Sequence, residues 1–79
     1  MSTPIARIDL TPTSTAKDLA TFLRTARHRA KCTQLDVSKK MEIPPTAVAR
    51  LESGTLEPKL LTMSRFARSL GKKLVVVII

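Results

Sequence analysis

Residues 33–54, TQLDVSKKMEIPPTAVARLESG, constrain the fold more than any other part of this chain. Two short helical patterns lie side by side there, with room between them for a tight turn and nothing longer. Thr33 is followed three residues on by Asp36. That spacing resembles a capping box, in which two side chains take up free backbone N–H groups at a helix start. Val37 and Met41 stand four apart and so share one face. Pro44 and Pro45 stop a continuous helix, and Pro45 suits the first position of the next, where no intrahelical N–H bond is lost. Val48 and Leu51 form the inward pair of that second helix, and Gly54 closes it in the left-handed conformation that glycine tolerates.

The flanks supply the rest of a small helical domain. Residues 1–13 contain Pro4, Pro12 and several Thr and Ser, and read as an extended arm with a short apolar segment at Ile5, Ile8 and Leu10. Ser14 or Thr15 can cap a first helix over residues 15–30, with Asp18 in its first turn. Ala16, Leu19, Ala20, Leu23, Ala26 and Ala30 follow at helical spacing, and Arg24, Arg27, His28, Arg29 and Lys31 mark the outer face. Beyond Pro58, one face of a last helix carries Leu60, Met63, Phe66, Ala67 and Leu70, and Gly71 ends it.

Residues 72–79 then switch to a β-branched run that predicts a strand, with Leu74, Val75, Val76, Val77, Ile78 and Ile79 as its apolar part. A lone strand leaves its edges unpaired. Pairing with the same strand of a second subunit is the favoured reading. Strand addition by another protein and disorder are the alternatives, and a loose run this apolar would aggregate. The expected organisation is an arm over 1–13, a helical domain over 14–71 and a dimerisation strand over 72–79.

Fourteen Lys and Arg against six Asp and Glu leave a formal charge of +8. That excess points to a polyanion, nucleic acid or an anionic membrane surface. Two Phe are the sole aromatics, which disfavours single-strand binding on stacked rings. The apolar C-terminal run is far short of the roughly 20 residues a membrane span needs. The N-terminus does not read as a signal peptide, because Arg7 and Asp9 interrupt its apolar run. Cys32 is the lone cysteine, so no disulfide can form within the chain, and a reducing, cytosolic setting fits. His28 is the single histidine, and no metal-ligand spacing or cofactor motif is present. Glu52 has no second carboxylate or nucleophile placed beside it, so no enzymatic constellation is legible. A chain of 79 residues is also near the lower limit for one self-sufficient core, which leaves oligomerisation as the staple.

The order of these elements resembles the lambda-repressor-like (XRE-type) helix-turn-helix family over residues 23–71. The residues that carry the likeness are Leu23-Arg24-x-x-Arg27, Thr33-Gln34, Val37, Lys39-Lys40, Val48, Arg50-Leu51-Glu52-x-Gly54, Pro58 and Ala67-x-x-Leu70-Gly71. The resemblance implies an all-α bundle of four or more helices, a double-stranded DNA partner and regulation of transcription in a bacterial cytoplasm. It implies phosphate contacts at Thr33 and Gln34, and at Ser53 and Thr55. It places Pro45, Thr46, Ala47, Ala49 and Arg50 on the groove-facing side of the recognition helix, and it makes Arg27 and Glu52 a structural ion pair. Four positions depart from the family pattern. Glu42 and Lys31 stand where glycine is usual, Pro44 replaces a serine cap, and Ser38 replaces a small alanine.

The whole-chain layout is also similar to HipB-type antitoxins, in which the C-terminal strands of two subunits pair. That likeness implies an autorepressor of a toxin–antitoxin operon, with a toxin partner such as a HipA-like kinase. A stand-alone repressor of phage, plasmid or restriction-modification controller type is the alternative, as is a protein-binding module that keeps the fold. Arg50 is the main candidate for reading a base, since a guanidinium can donate two hydrogen bonds to guanine. A phosphate contact or a surface pair with a carboxylate is its other reading. Arg24, Arg29, Lys31, Lys39 and Lys40 are phosphate-contact candidates or merely a solvated face. Cys32 reads as core packing, His28 as an exposed helix residue, and Leu35 and Leu61 as either isolated exposed leucines or part of a partner surface.

Overall fold

A computed structural model of the chain describes residues 3–79. Met1 and Ser2, the first residues of the expected arm, lie outside the described residues. Four helices follow the arm: α1 (Ala16–Arg29), α2 (Gln34–Met41), α3 (Pro45–Leu51) and α4 (Leu60–Ser69).

The capping box expected at Thr33 is present, and Thr15, one of the two candidate caps of the first helix, forms a second. Thr15 starts α1 and Thr33 starts α2; each side chain accepts from the backbone three residues on, at Asp18 and Asp36, and each carboxylate accepts in return. Pro45 is the first residue of α3, and Pro44 precedes it in extended conformation without a side-chain cap. Three helices end in the same way, with an N–H bonded to a carbonyl five residues back: Cys32 to Arg27, Ile43 to Ser38 and Lys72 to Ala67. That closure needs a left-handed residue just before it. Gly71 supplies it after α4, but Lys31 and Glu42 supply it after α1 and α2, at φ 58° and φ 57°. Glu42 therefore takes the strained, left-handed backbone at the turn. Gly54 is left-handed too, at φ 77°, two residues beyond the cap of α3 at Glu52.

The core is one cluster to which every helix contributes: Leu23, Val37, Val48, Met63, Phe66 and Leu70. Phe66, Val37 and Val48 lose all contact with water. Phe22, Leu19, Ala26, Ala30, Cys32, Met41, Ile43, Leu51 and Leu74 pack around it. α2 lies against both α3 and α4, and α1 against α4. The packing role expected of Cys32 is seen. Two buried hydroxyls, Ser38 and Ser69, donate to the carbonyls three residues back, so neither is left unpaired. Ser38 thus serves where alanine is usual.

Leu60 corrects the expected face of the last helix: it is 56% exposed. It is the first residue of α4, and side chains on a helix tilt toward its N-terminus. Its side chain overhangs the helix end instead of reaching the core. Residues 72–79 carry no regular secondary structure, and no strand forms among the described residues. Leu74 packs on the core, whereas Val75, Val76, Val77, Ile78 and Ile79 are exposed. A strand exists through bonds to a neighbour, and a single chain offers this segment none.

The arm folds back along α1. Its turn is closed by Ser14 N–H to the Thr11 carbonyl and Thr11 N–H to Ser14 Oγ, at 3.0 and 2.8 Å. At its far end the Arg29 guanidinium donates to the Ile5 carbonyl at 2.7 Å. Arg29, expected on a free basic face, thus holds the arm.

Candidate nucleic-acid interface

The site is organised around one carboxylate. Glu52, the cap residue of α3, accepts from Arg27 of α1 through two parallel bonds, Nε to Oε2 at 2.7 Å and Nη2 to Oε1 at 2.8 Å. The side-chain amide of Gln34, at the first position of α2, donates to Oε1 as well, at 3.3 Å. Arg27 spends its remaining nitrogen on the Cys32 carbonyl at 3.1 Å. Arg27 is therefore buried, not on the outer face of α1, and the pair expected from the family likeness is formed. The bond to Glu52 raises the Arg27 pKa against the opposing effect of burial. His28 is exposed, with its Nε2 3.2 Å from Arg27 Nη2.

This network fixes the start of α2 relative to the end of α3. The Thr33 cap occupies the N–H groups of Thr33 and Asp36. The N–H groups of Gln34 and Leu35 stand outside the helical ladder, as at any helix start. The Gln34 amide is held by Glu52 and keeps one N–H and its oxygen for another partner. Hydrogen bonds that the Asp36 carboxylate accepts from Thr33, from its backbone N–H first and its hydroxyl second, hold the carboxyl below its ordinary value, with Lys39 and Lys40 adding to the effect.

On α3 the inward and exposed positions fall on different sides of the helix. Val48 is buried, and Ala47 and Leu51 are half-buried. Pro45, Thr46, Ala49 and Arg50 are all exposed. Positions four apart on a helix share a face, so these residues form one surface, with Ala47 at its edge. The Arg50 side chain makes no hydrogen bond or ion pair among the described residues, so its guanidinium is uncommitted within the chain. Below α3, Ser53 and Thr55 are joined through their hydroxyls at 2.9 Å, and Ser53 Oγ donates to the Arg50 carbonyl at 2.7 Å. Both are exposed on a turn braced by these bonds.

The sequence model of the helix-turn-helix family matches residues 23–77. The chain belongs to the lambda-repressor-like helix-turn-helix family. It is thus a DNA-binding regulator of transcription by family, and its partner is double-stranded DNA. No curated protein and no solved structure gave a match. Within this helix-turn-helix frame α2 is the helix before the turn and α3 the helix after it. No helix among the described residues is long and apolar enough to cross a membrane.

The remaining sequence candidates are scattered. Lys39 and Lys40 are exposed on α2, and Arg24 donates to Thr21 on the outer side of α1 at 3.4 Å, with no bond to α2 or α3. Two groups escaped the sequence reading. Arg65, Arg68, Lys72 and Lys73 converge with Ser64 and Leu74 around one shallow groove at the end of α4. Their helical and near-helical spacing was a signal available in the sequence. Lys17 packs against Gly54, thirty-seven positions away in the chain, and no local spacing announces such a contact.

Proposed function

We propose that this chain is a homodimeric repressor that reads a near-palindromic operator through α3 and acts on its own operon. The observation that carries the proposal is the bare face of α3. Pro45, Thr46, Ala49 and Arg50 are exposed together beside a network that immobilises α2. Small residues allow a helix to approach the groove floor closely, and the methyl groups of Thr46, Ala47 and Ala49 suit thymine methyls. Arg50 adds a bidentate donor for guanine. With one long polar reader per helix, DNA shape supplies a share of the specificity. Thr33, Gln34, Ser53, Thr55, Lys39 and Arg24 bind the phosphate backbone around that helix.

The dimer rests on residues 74–79, six apolar side chains of which five are exposed in the single chain. Pairing with the same segment of a second copy covers them and sets two α3 helices about 34 Å apart on one face of the duplex. Removal of residues 74–79 is expected to halve the solution mass. An unchanged mass contradicts this dimer. The layout of arm, helical domain and apolar tail supports the finer reading of an antitoxin that also holds a toxin such as a HipA-like kinase. Co-purification with the product of the adjacent reading frame tests that reading, and an unrelated neighbour that does not bind favours the stand-alone repressor.

A mobility shift with the DNA upstream of the chain's own gene tests the reading as a whole. A retarded band that unlabelled random duplex fails to compete away supports it. With roughly 6–10 phosphate contacts per dimer, affinity should fall by about 10³–10⁵ between 50 and 200 mM salt. Absence of any retarded band at low salt overturns it and leaves the protein-binding module.

A further inference from the structure

The turn that follows α3 is poorly equipped for a polyanion. Residues 53–58 contain Ser53, Gly54, Thr55, Leu56, Glu57 and Pro58, with no cation and one carboxylate. Ser53 gives its hydroxyl hydrogen to the Arg50 carbonyl and Thr55 gives its own to Ser53 Oγ, so in the free chain both hydrogens are spent within the turn. The fold nonetheless brings a positive charge here from a distant part of the chain. A Cβ placed on Gly54 would lie 2.8 Å from Lys17 Cγ, 2.9 Å from Lys17 Cα and 3.3 Å from Lys17 Cβ. Backbone and stem of Lys17 therefore lie directly on the turn, in a seat that only glycine leaves open. The residue itself is exposed and makes no ion pair among the described residues. Asp18, its neighbour, is committed to the cap at Thr15. An ammonium on a stem packed this way remains in water while the stem is fixed.

From this seat we infer that Lys17 is a backbone-phosphate contact of the interface, supplying the cation for one phosphodiester that passes the turn after α3. Lys17 supplies the positive charge that the turn lacks. The role is one of affinity and placement. Lys17 carries no base readout, because its stem lies on the turn after the recognition helix and not on that helix's exposed face. This inference rests on the proposed DNA-reading function.

The test uses the full-length chain and a duplex that it selects from a random-sequence pool. Lys17→Gln keeps the stem on Gly54 and removes the charge; Lys17→Arg keeps the charge. The expected result for Lys17→Gln is binding about tenfold weaker at low salt. The slope of log K against log salt should also be shallower by about 1 for each chain in contact. Its preferred sequence and thermal melting should match wild type, and Lys17→Arg should bind like wild type. Wild-type affinity and slope in Lys17→Gln overturn the inference while the DNA-reading function stands, as does a change in the preferred sequence. Failure of the wild-type chain to select any duplex overturns both.

Discussion

Arg27 and Glu52 lie twenty-five positions apart and meet through two parallel bonds of 2.7 and 2.8 Å, with residue exposures of 8% and 5%. Each charge has given up its water and depends on the other. Truncating one partner strands the other, so Arg27→Ala or Glu52→Ala should each cost about 3–5 kcal/mol in urea unfolding. The exposed pair Arg7–Asp9 offers the contrast, and Arg7→Ala should cost about 0–1 kcal/mol. Replacing both buried partners together, as in Arg27→Met with Glu52→Leu, should restore most of the lost stability. It should still weaken DNA binding, because Gln34 loses the carboxylate that holds it. Equal stability losses for the buried and exposed pairs would contradict this account.

The two glycines are left-handed for different reasons, and their alanine variants separate the contributions. At Gly71, φ is 71° and nothing lies within 4 Å of an added Cβ. Gly71→Ala should therefore cost about 1 kcal/mol, from the backbone conformation alone. At Gly54 the same strain is joined by a collision with Lys17, whose Cα would be 2.9 Å away. Backbone cannot yield as a side-chain tip can, so Gly54→Ala should be the more damaging in thermal melting and should weaken DNA binding too. An equal loss at both positions would show that the Lys17 contact is not tight.

Acid should loosen α2 at its start. Thr33 holds the Asp36 carboxyl below its ordinary value of 3.8. A depressed folded-state pKa contributes stability above the unfolded value and loses it as pH falls through the folded one. The stability difference between wild type and Asp36→Asn should thus be constant at neutral pH and shrink below about pH 4. Urea midpoints measured across that range check the sign. A difference that grows on acidification would contradict it.

Much of the fold was legible because its signals are local. Thr15 and Asp18, and Thr33 and Asp36, stand at capping-box spacing, and Pro45 marks a helix start by its own ring. Leu23, Val37, Val48 and Phe66 follow helical periodicity into the core. What escaped depends on contacts between distant residues. Nothing near Gln34 in the chain says that its amide meets Glu52, and nothing near Lys17 points to Gly54. Leu60 was misplaced because periodicity assigns a face but not the end at which a side chain overhangs. Glu42 looked like an obstacle to the turn. The closing bond from Ile43 N–H to the Ser38 carbonyl and packing of Ile43 on the core hold it left-handed at a cost of about 1–2 kcal/mol.

The most direct test of the account is a comparison of wild type and Arg50→Ala on a duplex that wild type selects from a random pool and on a scrambled duplex of equal length. Arg50 is exposed and uncommitted within the chain, so its truncation should leave thermal melting unchanged. Wild type should prefer the selected duplex by about 10³-fold or more. Arg50→Ala should lose about 1–3 kcal/mol of that preference while its binding to the scrambled duplex changes little. An undiminished preference in Arg50→Ala would contradict the claim that the exposed face of α3 reads the DNA.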